Sequence, residues 1–197
     1  ELAHIWENDK TTGTWRMTER LQSSVPPEIL FIERCSQFLV PGGRMGIVLP
    51  DSILGSPGLG YIREWLIQNH RIIASVDLHV DTFQPHNGTQ TSVLFLQKKT
   101  AAQKNKEAAT GQMSDYNIFM AMVERVGHDK RGNPIFKRDV EGNEILAPDT
   151  DNIMVLGETG EGDRTVSHER KSKVPDDQTT DVPAIFDDWK RREGIAW

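Results

Sequence analysis

Four side chains that could bind a metal ion lie close together in the sequence: Asp77, His79, Asp81 and His86. Carboxylates and imidazoles are ligands of zinc, and the alternating spacing would put Asp77, His79 and Asp81 on one side of a strand. Such spacing is common by chance, however, and no second ligand motif accompanies it. We therefore interpret these residues as solvated loop residues and predict no metal site.

Phe83 stands in the same polar segment, DTFQPHNGTQ, just past an apolar run. A large aromatic side chain in this position has no obvious core to join, and position alone leaves two interpretations open. The ring can tuck under its own loop, or it can offer a face on which a ligand stacks. Pro85, His86 and Asn87 follow in a mobile-looking Pro-His-Asn-Gly sequence.

A second group of candidates is basic and clusters around two turn signals, residues 131–133 and 141–143. Its members are Lys130, Arg131, Lys137 and Arg138. They could contact phosphates, although a solvated charged turn is the commoner explanation of such a pattern. The sequence contains no Gly-rich phosphate loop, no zinc-type cysteine spacing and no Gly-x-Ser-x-Gly elbow.

Two short apolar runs, residues 45–49 and 72–78, each follow an amphipathic helical pattern. This alternation is typical of parallel strands covered on both faces, so the predicted fold class is α/β, half of a doubly wound sheet. A third run, residues 91–98, follows only a loop and most simply returns antiparallel to its neighbour. Ligands of such sheets bind beyond the carboxyl ends of the strands, which places the expected site at residues 77–88.

The helical patterns predict which side chains are buried. Ser24 is a plausible N-cap for the first helix, which Pro41-Gly42-Gly43 ends. The predicted buried stripe of this helix consists of Phe31, Cys35 and Phe38, with Leu30 and Leu39 beside it. In the second helix, Ile62, Trp65 and Leu66 share a face.

The chain divides into four predicted segments. Residues 1–99 form the α/β unit, beginning with an irregular stretch (1–23) anchored by its tryptophans. Residues 100–116 form a linker, residues 117–146 a small antiparallel meander, and residues 147–197 an acidic tail. We expect partial disorder at 147–182 and a short helix at 183–192, whose apolar side is Ile185, Phe186 and Trp189.

Composition indicates an ordinary soluble chain of 197 residues, with 37% hydrophobic and 26% charged residues. Residues 141–197 carry 7 Lys and Arg against 14 Asp and Glu, so the net charge of −6 belongs to that third of the chain. The single cysteine, Cys35, is expected to be a small buried side chain, which fits a reducing cytoplasm. No membrane helix or signal peptide is expected.

Three stretches together resemble the N6-adenine DNA methyltransferase family, specifically the modification (methylase) subunits of type I restriction systems. They are PPEILFIERCSQFLVPGGRMGIVLPDSILG, YIREWLIQNHRIIASVDLHVDTFQPHNGTQTSVLFLQKK and IFMAMVERVGHDKRGNPIFKRD. The resemblance covers about residues 1–146. It implies the second half of a Rossmann-like sheet of seven strands closed by an antiparallel hairpin.

The resemblance also implies what this chain lacks. The family's S-adenosylmethionine loop and its Asn-Pro-Pro-Phe motif lie upstream of the matched region, and neither occurs here. We therefore expect a fragment of a DNA adenine N6-methyltransferase with no catalytic residue of its own, in which Phe83 stacks on the flipped adenine. The implied partners are DNA, the upstream part of the enzyme, a specificity subunit and a restriction subunit.

Two rival interpretations stay open at the level of the sequence. One is a non-catalytic, methyltransferase-like binding or scaffold module, and the other is a complete small enzyme with another Rossmann-type ligand. An upstream coding sequence without the Gly-rich loop and the Asn-Pro-Pro-Phe motif would favour the scaffold. Cofactor binding by the 197 residues alone would favour the complete small enzyme. A half sheet is also expected to leave the edge of residues 44–49 unpaired and to self-associate.

Overall fold

The computed structural model describes residues 1–155 and 164–195, without the side chains of residues 151–155, 164 and 166. The chain folds into strands and helices in the following order: β1 (His4–Asn8), β2 (Trp15–Leu21), α1 (Pro27–Phe38), β3 (Arg44–Pro50), α2 (Asp51–Gly55), a 3-10 turn (Pro57–Leu59), α3 (Gly60–Asn69), β4 (His70–Asp77), β5 (Thr91–Lys98), α4 (Ala101–Thr110), β6 (Phe119–Met122), β7 (Leu146–Val155), β8 (Arg164–Lys173) and α5 (Val182–Arg192).

A mixed sheet of four strands in the order β3-β5-β4-β6 forms the centre of the fold. Strand β5 runs antiparallel to both of its neighbours. Its Leu94 lies opposite Ile47 of β3, and its Val93 lies opposite Val76 of β4. The predicted antiparallel return is therefore confirmed. Strands β3 and β4 share a direction as expected, but β5 lies between them instead of beside only one of them.

The prediction that residues 117–146 form an antiparallel meander is wrong for strand β6. Residues 119–122 pair in parallel with β4, from Ala74 opposite Phe119 to Asp77 opposite Met122. Two small bridged turns at residues 128–134 and 138–144 are the part of the expected meander that the structure contains. A local pattern can predict a hairpin, but it cannot reveal that residue 119 pairs with a strand more than 40 residues upstream.

Helices α1 and α3 cover one face of the sheet and bury the main core against Leu49, Leu94 and Leu96. Helix α3 buries Ile62, Trp65 and Leu66 as predicted. Burial of such apolar side chains stabilises the folded state by about 25 cal/mol for each Å² removed from water. This cluster is the largest of the three hydrophobic clusters of the described residues.

The predicted buried stripe of α1 is wrong. Helix α1 buries Ile29, Ile32 and Ser36, whereas Phe31 and Phe38 are 62% and 73% exposed; Leu30 is exposed too, and Cys35 is half-buried. The helix begins after Pro26 rather than with Ser24 as its cap. It carries apolar residues on two sides, and helical spacing alone cannot choose between them.

Among the described residues, the opposite face of the sheet is covered only at β4 and β6. There α5 packs Phe186 and Trp189 on Phe119, with ring centroids 5.3 and 5.5 Å away. The predicted terminal helix is confirmed, although Ile185 is exposed. Towards β3 the face opens into an apolar groove of about 460 Å³. The expectation that strand 45–49 is covered on both faces is therefore wrong within the described residues.

The N-terminal stretch is an antiparallel hairpin, not an irregular segment, with Trp6 opposite Met17. Its tryptophans anchor it as predicted, because the Trp6 and Trp15 rings each lie 5.9 Å from Tyr61 at the start of α3. Trp15 also lies against Gly60, where an added Cβ would be 2.6 Å from the indole nitrogen.

The predicted linker contains helix α4. Thr100 accepts a hydrogen bond from the Gln103 amide while the Gln103 side chain accepts one from the Thr100 amide, and Gly111 ends the helix at φ 65°. This reciprocal cap satisfies two otherwise free amides. Lys99 anchors the helix, since its buried ammonium donates to Glu107 at 2.6 Å and to the Ile67 carbonyl at 2.7 Å.

The acidic segment expected to be partly disordered contains a long antiparallel ribbon of β7 and β8, with Ala147 opposite Ser172. Partial disorder is thus not confirmed for these strands, and residues 156–163 lie outside the described part. Asp149 accepts hydrogen bonds from Arg170 at 3.1 Å and Ser172 at 2.7 Å. Such cross-strand pairs compensate part of the segment's negative charge.

Buried His70 makes the stability of the fold pH-dependent. Its side chain is fully buried beside Ser36, whose Oγ shares a 2.9 Å hydrogen bond with His70 Nε2. Burial is the main reason why the pKa of His70 is lowered to about 4; the charges of Lys98, Lys104 and Lys99 act in the same direction, and a hydrogen bond with the Leu66 backbone acts against them. The folded state therefore keeps this histidine neutral at pH values where the unfolded chain protonates it.

We expect this histidine to cost stability as the pH falls from about 6.5 towards 4, by at most about 1.4 kcal/mol per pH unit. Above pH 6.5 both states hold a neutral ring, so the contribution is flat there. Urea unfolding at several pH values should show that His70→Gln removes this slope, while His168→Gln on exposed β8 retains it. An unchanged slope in His70→Gln would contradict the assignment.

The free edge of β3 is the basis of another prediction. Within the described residues β3 pairs only with β5, and the side chain of Val48 in this strand is 48% exposed. Unpaired strand edges beside apolar surface promote strand addition. Sedimentation of the isolated chain should show concentration-dependent association that Val48→Lys reduces. A monomer with strongly protected amides at residues 44–49 would argue against this expectation.

Candidate functional site

Polar side chains at the carboxyl ends of β3 and β4 hold the start of β5. Asp51, which begins α2, accepts a hydrogen bond from Ser92 Oγ at 2.8 Å. Asp77, at the end of β4, accepts one from Gln90 Nε2 at 3.0 Å, and the same amide donates to the Leu78 carbonyl. These contacts fix both ends of the connection between β4 and β5.

This connection, the β4–β5 loop (residues 78–90), is folded into successive tight turns. The Thr82 and Gln84 amides donate to the carbonyls of His79 and Asp81, each at 2.9 Å. The carbonyl of Phe83 then accepts from the amides of His86 at 3.1 Å and Asn87 at 2.9 Å. The backbone of the loop is therefore ordered by its own hydrogen bonds, which leaves side chains free to face outwards.

The structure keeps the predicted site residues together at the tip of this loop. Phe83 is 40% exposed and belongs to none of the three hydrophobic clusters of the described residues. Pro85, reached through a cis peptide bond, His86 and Asn87 are exposed. Asn87 Oδ1 accepts from the Thr89 amide at 2.8 Å, so its amide nitrogen remains available. The tip of the loop thus exposes an aromatic ring and two polar side chains to solvent.

The acidic and histidine residues of the same region do not form a metal site. Strand β4 ends at Asp77, so His79 and Asp81 lie in the loop and not on one side of a strand. His79 Nδ1 accepts from the Asp81 amide at 3.2 Å. Within residues 1–155 and 164–195 no group of three or more His, Cys, Asp or Glu side chains is arranged to hold a metal ion.

Two turns with the same hydrogen bonding follow β6: the first turn (residues 129–133) and the second turn (residues 139–143). In the first, Asp129 Oδ1 accepts from the amides of Arg131 at 2.8 Å and Asn133 at 2.9 Å. Hydrogen bonds from the Asn133 side chain and amide lower the pKa of Asp129. Gly132 takes φ 82°, a conformation that favours glycine.

In the second turn Asp139 Oδ1 likewise accepts from the amides of Glu141 at 3.0 Å and Asn143 at 2.8 Å. Gly142 takes φ 90° in the position equivalent to Gly132. The sequence contains a signal for this similarity, Asp-x-x-Gly-Asn repeated ten residues apart, which the turn signals at residues 131–133 and 141–143 include only in part.

The first turn lies against the β4–β5 loop. A Cβ built on Gly132 would be 3.3 Å from Pro85 Cδ, so the turn backbone is in close contact with the loop beside Phe83. The side chains of Lys130 and Arg131 at the tip are exposed, and within the described residues neither side chain makes a hydrogen bond or an ion pair. The structure thus brings the turn that carries two of the four basic candidates into contact with the β4–β5 loop.

The other two basic candidates are more constrained. Arg138 donates to the Gly142 carbonyl at 2.9 Å and lies 3.7 Å from Glu144, so it supports the second turn itself. Lys137 is half-buried, and its backbone amide donates to the Val174 carbonyl at 2.8 Å. Sequence alone treated the four as equivalent, because their different surroundings arise only from tertiary contacts.

The model of the N-6 DNA methylase family matches residues 2–141 of this chain. The chain therefore belongs to that family, and the predicted resemblance is confirmed. Among curated proteins it is 30% identical over 110 residues to the type I restriction enzyme EcoKI methylase subunit of Escherichia coli K12. That alignment covers 53% of this chain and 21% of the relative, so the chain spans about a fifth of the relative's length.

Two solved structures are also similar to the chain. A class I S-adenosylmethionine-dependent methyltransferase from Listeria monocytogenes, named as putative, matches with a TM-score of 0.40 at 19% identity, over 53% of this chain and 30% of that one. The EcoKI M protein matches with a TM-score of 0.37 at 16% identity, over 87% of this chain and 45% of that one.

No helix among the described residues combines the length and the apolar character needed to cross a membrane.

Proposed function

We propose that this chain is part of a site-specific DNA adenine N6-methyltransferase of a type I restriction-modification system. The enzyme transfers the methyl group of S-adenosylmethionine to an adenine flipped out of the duplex. Membership of the N-6 DNA methylase family supports the class of reaction. The observation that carries the assignment of a site is Phe83, an exposed aromatic held on an ordered loop at the carboxyl edge of the sheet.

In this proposal Phe83 stacks on the extruded adenine. Base flipping costs the stacking and pairing of the base in the duplex, and an aromatic side chain restores roughly 1–3 kcal/mol of stacking. Pro85 shapes the loop beside the ring, and His86 and Asn87 offer polar groups to the base or its sugar-phosphate. Lys130, Arg131, Lys137 and Arg138 are the candidates for contacts with the DNA backbone.

The residues of this chain do not fit a complete S-adenosylmethionine site. Gly42 and Gly43 precede β3 and therefore lie at the amino edge of the sheet, opposite the β4–β5 loop. At the carboxyl edge, Asp51 and Asp77 are engaged by Ser92 and Gln90. We therefore assign the cofactor mainly to residues upstream of this chain and derive no step of its binding here.

The remaining parts of the proposal follow from the family. The upstream part of the methyltransferase, with its Gly-rich loop and Asn-Pro-Pro-Phe motif, pairs with this chain, and the assembled subunit works with a specificity subunit, a restriction subunit and DNA. A cytoplasmic location accompanies this role. The rival function is a non-catalytic methyltransferase-like scaffold, which an uncovered sheet face would also suit.

Methyl transfer with radiolabelled S-adenosylmethionine tests the proposal. The full-length protein that contains this chain, assayed together with its specificity subunit, should produce N6-methyladenine, identified by nucleoside chromatography and mass spectrometry. The isolated 197 residues should neither transfer methyl groups nor bind the cofactor tightly. Robust transfer by the isolated chain would overturn the fragment assignment, and a full-length protein without activity on DNA would support the scaffold.

A further inference from the structure

The two turns that follow β6 have the same backbone but different tips. In both, the aspartate carboxylate accepts the amides two and four residues later, and the aspartate amide donates to the asparagine carbonyl at 2.9 Å. The first turn carries Lys130 and Arg131 at its tip, where the second carries Val140 and Glu141. A basic tip is therefore not required to form this turn.

Position separates the turns as well. The first turn touches Pro85 of the β4–β5 loop through Gly132, and no such contact with that loop is made by Gly142, which has open space around its Cβ position. The basic tip thus belongs to the turn that lies beside Phe83. Within the described residues Asp129 makes no direct ion pair with the tip: its carboxylate oxygens accept hydrogen bonds from the Asn133 side chain and the turn amides, and the charge of Arg131 is the last of the causes that lower its pKa.

We propose that the tip of the first turn, Lys130 and Arg131, binds the phosphates that flank the extruded nucleotide, whereas the second turn makes no such contact. This inference rests on the proposed function and deepens it by placing one set of phosphate contacts. A nucleotide that leaves the duplex stays joined to its two flanking phosphates, so these lie close to the loop that receives the base. Two cations fixed next to the base-binding loop hold those phosphates in place while the base lies on Phe83.

Because the turns are equivalent, the basic tip can be removed from the first turn and then added to the second, which restores the net charge of the chain. The 197-residue chain is titrated with a fluorescent 16-base-pair duplex that contains one extrahelical adenine, at several KCl concentrations. Lys130→Val with Arg131→Glu should weaken binding about tenfold at low salt. The slope of log K against log salt should fall by roughly two, since each neutralised phosphate contributes about 0.9.

The decisive variant adds Val140→Lys and Glu141→Arg to that double substitution, which moves the basic tip to the second turn. We expect its affinity to stay within about twofold of the weakened variant, with unchanged thermal unfolding. Recovery of wild-type affinity would mean that only net charge matters and would overturn the inference. Absence of any loss in the first variant, or of duplex binding by the wild-type chain at low salt, would overturn it too.

A duplex with uncharged methylphosphonates at the two flanking positions locates the contact. The wild-type chain should lose affinity for this duplex, and the Lys130→Val, Arg131→Glu variant should lose no more. Equal losses in both would place the tip elsewhere on DNA and contradict the inference. The proposed function can fail while the phosphate contact holds. In that case the chain would bind duplexes with paired and with extrahelical adenine equally well, and the Lys130→Val, Arg131→Glu variant would still bind more weakly than wild type.

Discussion

Phe83→Ala is expected to lower DNA methylation by the full-length protein about 5- to 150-fold, which corresponds to the loss of one base-aromatic stacking contact of roughly 1–3 kcal/mol. Cofactor affinity should be unchanged, because the cofactor is assigned to upstream residues. Thermal stability should also change little, since the ring is exposed and lies outside the hydrophobic clusters.

Two further substitutions at the same position separate stacking from simple apolar contact. Phe83→Trp keeps an aromatic face and should retain most of the activity, whereas Phe83→Leu keeps apolar volume and should remain impaired. Fluorescence of 2-aminopurine at the target position reports extrusion in each variant. If Phe83→Leu is as active as wild type, or if activity falls only in step with stability, Phe83 is a structural residue and the site assignment fails.

Glu107→Ala is expected to lower the free energy of unfolding by about 1–3 kcal/mol, because it leaves the Lys99 ammonium with one partner fewer beside an open cleft. Lys99 has only 4% of its side chain exposed and donates to Glu107 Oε2 at 2.6 Å. That hydrogen bond is the main reason why the pKa of Glu107 is lowered. Removing the carboxylate leaves a buried ammonium whose remaining hydrogen-bond partner is the Ile67 carbonyl.

Helix α4 offers a matched control for this substitution. Lys104, on the same helix, donates to Asn69 Oδ1 in an exposed position, so Lys104→Ala should cost less than about 0.5 kcal/mol. Lys99→Met combined with Glu107→Leu should recover much of the loss, because an apolar pair carries no desolvation penalty. Urea unfolding measures all three, and an effect of Glu107→Ala as small as that of Lys104→Ala would contradict the role of the ion pair.

The sequence predicts an element correctly where its pattern of apolar residues is compatible with one structure only. Strands β3, β4 and β5 were predicted because short apolar runs followed helices or a polar loop, and their directions were correct. Helix α3 was predicted with its buried face because its apolar residues lie on one side only. Phe83 was a candidate because an aromatic past a strand end had no core to join, and it is exposed.

The errors have identifiable physical causes. Helix α1 is apolar on two sides, so the choice of Ile29 and Ile32 over Phe31 and Phe38 depends on the sheet beneath it. Helix α4 was missed although the capping pair Thr100 and Gln103 was present in the sequence, because its residues are small and polar. The parallel pairing of β6 and the contact between Gly132 and Pro85 are tertiary, so no local pattern contains them.

Photochemical cross-linking tests the central claim most directly, namely that the β4–β5 loop receives the flipped base. In the full-length protein, once its methylated sequence has been mapped, the target adenine is replaced by 5-iodouracil and the complex is irradiated. The account predicts one dominant cross-link, at Phe83, which Phe83→Ala abolishes. A dominant cross-link outside residues 78–90, or one that persists in Phe83→Ala, would contradict it.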